Sequence, residues 1–171
     1  MRNKKFFFIV FEGIEGSGKS YQSKRLFKNL KKNKYFPLLT REPGGTIGAE
    51  RIRKIILKDY FHKNRSEKFH KYTDTLLYLA ARNEHMQNKI LLAKKNKKII
   101  ICDRFIDSTI AYQVYGKKVE KKMIDSVHKY ILQNVKPDIT FLLKVNSSQA
   151  SKRLKKRKKK NRYDKFPKKF Y

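Results

Sequence analysis

The sequence has few of the features that mark secreted, metal-cluster or membrane proteins. Cys102 is the only cysteine, which excludes an internal disulfide framework or a multi-cysteine zinc site and agrees with a reducing compartment. No apolar run approaches the ~18 residues that a membrane span needs. The run 6–11 is too short, and too poorly followed by small residues, for a secretory signal. We therefore predict a cytoplasmic protein without membrane association.

Acidic residues are also scarce. Aspartate and glutamate number 14 against 45 lysines and arginines, so the formal net charge is +31. Such a charge attracts phosphates and nucleic acid. However, lysines outnumber arginines by 34 to 11, as an AT-rich codon supply would produce without any selection for binding. Only the segment 152–169, with 12 basic residues and the single acid Asp164, concentrates the charge enough to indicate chemistry.

The length of 171 residues fits one domain, and no repeat or Gly/Ser-rich linker divides it. Short, almost continuous apolar runs are typical of strands buried on both faces of a parallel sheet. They cover 6–11, 36–40, 98–102 and 138–143. Helical spacing of apolar residues predicts helices over 17–29, 47–57, 73–93, 107–115 and 121–132, and another that Ser147 opens and caps. This alternation predicts an α/β fold with helices on both faces of the sheet.

The strongest motif follows the first predicted strand and precedes a predicted helix. It is the phosphate-binding loop (P-loop) pattern G-x-x-x-x-G-K-[ST], here Gly13, Ile14, Glu15, Gly16, Ser17, Gly18, Lys19 and Ser20. Its glycines let backbone N–H groups turn towards an anion, its lysine reaches the outer phosphates, and its serine hydroxyl can bind Mg²⁺. The pattern predicts nucleotide binding but does not separate an ATPase, a GTPase, a kinase or a helicase.

Two further segments follow predicted strands and should meet at the carboxyl edge of the sheet, where ligands of α/β sheets bind. Asp103 ends one strand and can hold Mg²⁺ through water; the alternative is a cap for the next helix. Arg104 beside it suits bidentate phosphate contacts. Arg41 opens the turn 41–46, which contains Pro-Gly-Gly. For Arg41 a phosphate contact and an ordinary surface position are equally open.

Five segments together resemble the thymidylate kinase (dTMP kinase) family over residues 6–166. They are FEGIEGSGKS, TREPGGT, LLYLAAR, DRFIDSTIAYQ and a basic loop that ends in an arginine. The resemblance implies a P-loop nucleoside monophosphate kinase fold in a single domain, 1–171, with a lid at about 150–164. It implies phosphorylation of dTMP to dTDP by ATP with Mg²⁺, for dTTP biosynthesis. It also implies a homodimer, and we expect no specific nucleic-acid partner.

The resemblance also assigns site residues. Lys19 would bind the γ-phosphate, Ser20 the magnesium, and Asp103 would act as its partner. Glu15 would approach the sugar 3′-hydroxyl. The remaining substrate contacts divide into the dTMP phosphate (Arg41 and Arg104), the base (Tyr78 by stacking, Arg82 by hydrogen bonds) and the polar wall of the nucleoside pocket (Ser108, Tyr112 and Gln113). Tyr112 lies where a ring can exclude a ribose 2′-hydroxyl.

Family members supply catalytic charge either from an arginine in the P-loop or from arginines in the lid. Gly16 occupies the loop position here, which indicates the bacterial type with lid arginines. Arg153, Arg157 and Arg162 are the candidates. Arg153 would lie nearest the adenine, and Arg157 is the first choice for the transition state. A solvated, lysine-rich run without a fixed arginine is the alternative.

Two departures from the family pattern qualify these expectations. The family reads Asp-Arg-x-Glu at the end of the lid, whereas this chain has Asn161-Arg162-Tyr163-Asp164. Family members also continue beyond the position of Tyr171, so the last edge strand and the final helix are expected to be missing. A truncation there would weaken activity. Two alternatives stay open: another nucleoside or nucleotide kinase of this fold, and a truncated, non-catalytic basic protein that binds nucleic acid.

Overall fold

Four parallel strands form one sheet at the centre of the described part of the chain. The computed structural model describes residues 5–58 and 68–156. The strands are β1 (Phe7–Glu12), β2 (Pro37–Arg41), β3 (Ile99–Asp103) and β4 (Ile139–Leu142), in the order β2-β3-β1-β4. The register pairs Arg41 with Asp103, and Asp103 with Phe11, so the strand ends lie in one row at the carboxyl edge. This arrangement confirms the predicted parallel α/β sheet.

Helices connect the strands. Their bounds are α1 (Lys19–Lys32), α2 (Ile47–Leu57), α3 (Lys71–His85), α4 (Leu91–Lys95), α5 (Ile106–Thr109), α6 (Lys121–Ile131) and α7 (Ser147–Lys155). The single helices predicted over 73–93 and 107–115 both contain a π-helical segment, at Met86–Ile90 and Ile110–Gly116. Such wide turns are invisible to a 3.6-residue period. Among the described residues no helix is long and apolar enough to cross a membrane.

Alternate side chains of β1 fill two cores, as a strand covered on both faces requires. Phe8 and Val10 belong to the cluster that also contains Leu79 of α3 and Ile124 of α6. Ile9 and Phe11 face the opposite cluster, which is completed by apolar side chains of α1 (Leu26, Phe27 and Leu30). The two cores fix the height and direction of β1, and therefore the position of the loop that follows it.

Two local predictions are wrong. The prediction over 138–143 was a strand buried on both faces, but all four residues of β4 are exposed. Phe141 extends the face of the sheet that carries Phe11, and the two rings stack with centroids 5.2 Å apart. Ser147 does not cap α7 either: Asn146 occupies the cap position, and its Oδ1 accepts from Gln149 N at 2.8 Å. Asparagine caps as well as serine, so the sequence alone could not separate the two neighbours.

Candidate active site

The P-loop connects β1 to α1 and is closed on one side by α7. Gly16 has a φ of 78°, in the left-handed region that favours glycine. A Cβ atom added there would come 2.7 Å from the carbonyl oxygen of Ala150. The Arg153 Nη1 atom donates to the Gly16 carbonyl at 3.0 Å. The start of the predicted lid therefore packs directly on the loop and leaves no room for a side chain at position 16.

Lys19 lies folded over the P-loop. Its Nζ donates to the carbonyl oxygens of Gly13 at 2.9 Å and Ile14 at 2.8 Å. Burial, together with the charge of Arg104, lowers its pKa to about 8, although Glu15 and other carboxylates oppose the shift. Within the part of the chain that the structure describes, the ammonium group thus donates to two backbone carbonyls, which the phosphates of a nucleotide can replace.

Ser20 and Asp103 meet at the mouth of the loop, where the Ser20 hydroxyl donates to Asp103 Oδ2. Helix α5 begins after Phe105, with no side-chain cap, so Asp103 does not have the alternative capping role. Within the described residues there is no cluster of three or more metal-binding side chains. A hydroxyl and a carboxylate nevertheless fit Mg²⁺, which is usually held by one or two protein oxygens and by substrate phosphates.

Arg104 occupies the centre of the site in a left-handed backbone conformation, with φ of 75°. Its Nη1 donates to the Gly13 carbonyl at 3.1 Å and to Ser108 Oγ at 2.8 Å, and its Nη2 pairs with Glu15 Oε1 at 2.7 Å. The Tyr112 hydroxyl donates to the other oxygen of Glu15. Burial would raise the pKa of Glu15, but the charge of Arg104 and the Tyr112 hydrogen bond lower it. The side chains of four predicted residues, Glu15, Arg104, Ser108 and Tyr112, therefore form one connected polar group.

Glu12 supports this group and is a residue that sequence reasoning missed. It is buried at the end of β1. Its Oε1 accepts from Phe105 N at 2.7 Å, and its Oε2 accepts from Ser108 Oγ at 2.6 Å. The carboxylate thereby ties the first turn of α5 to β1 and holds the strained backbone at Arg104. A charged residue closing an otherwise apolar strand was the available signal.

Arg82 lies on α3 beneath the cavity and is almost fully buried, with 4% of its surface exposed. Its Nε and Nη2 donate to Glu42 Oε2 at 2.8 and 2.6 Å, Nη2 donates to the Phe105 carbonyl at 2.9 Å, and Nη1 lies 2.7 Å from His128 Nε2. Four of the five N–H groups of this guanidinium are therefore committed to partners among the described residues.

Glu42 is the centre of this buried network. Its second oxygen, Oε1, lies 2.9 Å from His85 Nδ1, and His85 Nε2 lies 2.7 Å from Thr40 Oγ1. Burial would raise the pKa of Glu42, but the charge of Arg82 and the His85 contact outweigh it and lower that pKa. Sequence reasoning missed Glu42, His85 and His128. For Glu42 the signal was its place in the rigid turn; for His128, distant in sequence, there was none.

A cavity of about 480 Å³ joins the two groups. Most of the predicted substrate and phosphate residues line it, namely Glu15, Lys19, Ser20, Arg41, Tyr78, Arg82, Asp103, Arg104, Ser108, Tyr112, Gln113 and Arg153. Gln113 Nε2 is buried and has no hydrogen-bond partner in the part of the chain that the structure describes. Gly13, Ile14 and Ser17 form the loop wall without lining the cavity. Arg157 and Arg162 lie outside the described residues, as does most of the lid.

Two arginines on the far side of the cavity differ in how firmly they are held. Arg41 is half exposed and pairs with Glu50, the shortest contact being 3.0 Å between Nη2 and Oε2. Arg53, which sequence reasoning missed, lines the same cavity, and its Nη1 donates to the Pro43 carbonyl at 2.6 Å. Arg53 lies within α2, in a segment that contains no recognisable motif. Both arginines bring positive charge to the cavity at the carboxyl edge of the sheet.

Comparisons with known proteins agree on one family. A family model described as thymidylate kinase matches residues 11–171. The thymidylate kinase of Mycoplasma capricolum is 41% identical over 160 residues, which are 92% of this chain and 73% of that protein. The thymidylate kinase of Wolbachia pipientis wMel is 42% identical over 166 residues, 96% of this chain and 79% of that protein.

A solved structure agrees with these sequence matches. The crystal structure of thymidylate kinase from Ehrlichia chaffeensis superposes with a TM-score of 0.71 at 38% identity. The superposition covers 87% of this chain and 82% of the Ehrlichia chain. The likeness therefore extends to the parallel sheet and its flanking helices as well as to the motifs.

Proposed function

Because the chain belongs to the thymidylate kinase family, we propose that the cavity at the carboxyl edge of its sheet is where dTMP meets ATP. The enzyme transfers the terminal phosphoryl group of ATP to dTMP, giving ADP and dTDP for dTTP biosynthesis. The relatives favour this reaction over another nucleotide kinase activity or over nucleic-acid binding. The observation that carries the proposal is the convergence of the P-loop, Arg104 and the Arg82 network on one cavity.

At the phosphate end, we propose that Lys19 exchanges its two backbone acceptors for oxygens of the ATP phosphates. The remaining P-loop backbone, from Gly13 to Ser20, would surround the anion at the start of α1. The family uses ATP with a divalent metal. We propose Mg²⁺, held by Ser20 with Asp103 nearby, which would neutralise phosphate charge when bound. The support is the direct contact of these two oxygen groups beside Lys19.

Between the two ends, Arg104 would bind the dTMP phosphate with Arg41. Arg104 is already oriented by Ser108 and Glu15, whereas Arg41 would exchange Glu50 for the phosphate. Glu15 would accept from the sugar 3′-hydroxyl. The ring of Tyr112, held by its hydrogen bond to Glu15, would occupy the space that a ribose 2′-hydroxyl needs and so favour deoxynucleotides.

At the base end, Tyr78 would stack on thymine while Arg82 and Gln113 hydrogen-bond its edge. Arg82 has one N–H left after its four contacts with the described residues, and it suits an acceptor such as a base carbonyl. The unpaired amide of Gln113 can pair with the donor–acceptor edge of the same base. A buried group that only one base can satisfy discriminates strongly against the others.

The transferring phosphoryl group needs positive charge that a neutral Gly16 does not supply. We propose Arg153, Arg157 and Arg162 for this role. For Arg153 the support is its contact with the P-loop carbonyl of Gly16 and its place on the cavity wall. For Arg157 and Arg162, outside the described residues, it is the resemblance alone. The homodimer and the cytoplasmic location stay predictions, and no residue of the described chain tests them.

A coupled assay of ADP release with dTMP, dCMP, dGMP and AMP as acceptors tests the proposed function. We expect dTMP to have the highest kcat/KM, by at least about 100-fold, because the other bases leave Arg82 or Gln113 unpaired. A higher kcat/KM for dCMP or AMP would contradict the thymidylate assignment. If ADP were released at the same rate with and without an acceptor nucleotide, the protein would instead be a nucleotide hydrolase on the same fold.

A further inference from the structure

His128 touches the guanidinium that we assign to the base, although it lies on a different helix. It is on α6, and its Nε2 lies 2.7 Å from Arg82 Nη1 on α3. Both side chains are buried, His128 being 6% exposed and Arg82 4%. The contact is therefore shielded from water, and losing His128 would leave an Arg82 Nη1 hydrogen without this buried acceptor.

The direction of this hydrogen bond follows from the donors. An arginine side chain can only donate, so His128 Nε2 must accept, and the ring must be neutral with its proton on Nδ1. Nη1 carries two hydrogens, and His128 takes one of them. The Nε hydrogen and one Nη2 hydrogen are donated to Glu42, and the second Nη2 hydrogen is donated to the Phe105 carbonyl. Among the described residues, the second Nη1 hydrogen is the one without an acceptor.

The surroundings keep the ring in this state. Burial and the charge of Arg82 lower the pKa of His128 to about 4, while Glu42 and Asp125 oppose the shift and Lys121 adds to it. These groups come from α3, from the turn after β2 and from α6 itself. At neutral pH the ring is an acceptor, as the geometry requires.

We propose that His128 is a positioning residue for base recognition, because it holds one Nη1 hydrogen of Arg82 and so directs the other towards the cavity. The inference rests on the proposed contact between Arg82 and the base. Glu42 fixes one side of the guanidinium and the Phe105 carbonyl supports its edge. Without His128, Nη1 would have two hydrogens to satisfy, and the planar group could tilt away from the base.

Two variants of similar size separate the hydrogen bond from packing. In His128→Gln the amide oxygen has about the reach of Nε2 and can accept, whereas His128→Met fills similar space without a strong acceptor. We expect His128→Met to raise KM for dTMP about tenfold, since one buried hydrogen bond to a charged group is lost. Its kcat and its KM for ATP should stay within about twofold of wild type, as expected for a loss of binding alone. His128→Gln should restore most of the KM.

The controls address folding and general histidine effects. His70 is exposed at the start of α3, outside the cavity, and His70→Leu should leave all constants unchanged. Thermal unfolding followed by circular dichroism shows whether each variant folds. Should His128→Met fail to fold, nitrogen NMR of the wild-type histidine rings still decides. We expect bare Nε2 and protonated Nδ1 for His128 between pH 6 and 7.5, and a proton on Nε2 would overturn the proposal.

Calorimetric binding of dTMP distinguishes failure of this inference from failure of the proposed function. If the wild type neither binds nor phosphorylates dTMP, the proposed function is wrong and this inference falls with it. If the wild type does both, but His128→Met binds dTMP as tightly as His128→Gln, only the positioning role is wrong. A tenfold weaker binding confined to His128→Met supports both.

Discussion

The two ends of the cavity are built in opposite ways. At the phosphate end, Lys19 and Ser20 make contacts that a ligand can replace: backbone carbonyls for the lysine and a single carboxylate for the serine. At the base end, Arg82, Glu42, His85 and His128 bind one another in a buried network. The first end can rearrange around a charged ligand, and the second is assembled before any ligand arrives.

This difference has a physical reason. Phosphates carry full charge that a cation attracts from several directions, so a lysine at the phosphate end can exchange its backbone acceptors for a ligand. A base differs from its competitors only in donors and acceptors, and these discriminate only when their partners cannot move. Substitutions at the phosphate end should therefore affect turnover, and those at the base end should affect stability and the choice of substrate.

The largest expected effect is at the phosphate end. Lys19→Ala should lower kcat/KM by about 1,000-fold, because the ammonium group reaches the phosphates where charge develops. The free energy of unfolding should change by less than about 1 kcal/mol, since among the described residues the lysine donates to two loop carbonyls. Lys28→Ala, on an exposed position of the same helix, is the control. Wild-type turnover in Lys19→Ala would remove the P-loop mechanism.

At the base end the expected effect is on stability. Glu42→Gln should lower the free energy of unfolding by about 3 kcal/mol, because it leaves the buried Arg82 without its counter-charge. Glu50→Gln breaks the matching pair with the half-exposed Arg41 and should cost less than about 1 kcal/mol. Urea unfolding of both variants measures the contrast. Equal losses of unfolding free energy would mean that the buried pair of Glu42 and Arg82 contributes no more to stability than the exposed pair of Glu50 and Arg41.

Substitutions on α7, at the start of the predicted lid, test whether the effect of charge at the phosphate end depends on its position. Arg153→Ala should lower kcat about tenfold and leave KM for dTMP unchanged, because the guanidinium donates to the P-loop carbonyl of Gly16 at the phosphate end. Lys155→Ala removes an equal charge from an exposed position of α7 and should change kcat by less than about twofold. If the two variants lose the same activity at low salt and recover it in parallel at high salt, diffuse charge is the better explanation.

The smallest effect concerns pH. Lys19 must be protonated to attract phosphate, and its pKa in the free protein is lowered to about 8. The value of kcat/KM for ATP should therefore fall several-fold as pH rises from about 8 to 9, since this constant reports groups of the free enzyme. At saturating ATP the fall should occur at higher pH, because bound phosphates favour the charged lysine. A flat kcat/KM profile from pH 7 to 9.5 would contradict the buried position of Lys19.

The same division explains what could be predicted from the sequence. The loop at the phosphate end consists of neighbours in the chain, such as Gly18, Lys19 and Ser20, so a local motif identifies these residues together. The strands and most helix bounds follow from apolar spacing for the same reason. β4 was predicted as buried because its residues are apolar, but burial depends on what packs against a strand, and the strand's own pattern does not contain that information.

The base end could be predicted only in part. Tyr78 and Arg82 are four residues apart on α3, so the resemblance and the helical spacing identify them together. The partners of Arg82 come from the turn after β2 and from α6, 40 and 46 residues away. No spacing rule connects such positions. A histidine on an amphipathic helix, such as His128 in α6, becomes informative only when the fold places it against a charged group from another element.

The ratio of kcat/KM for dTMP to that for dCMP, measured in the wild type and in Arg82→Lys, tests the central claim most directly. A lysine keeps the charge but cannot hold Glu42, Phe105 and His128 while it presents a donor to the base. We predict that the ratio falls by at least about tenfold while KM for ATP is unchanged. An unchanged ratio in a folded Arg82→Lys protein would contradict the claim that a fixed guanidinium reads the base.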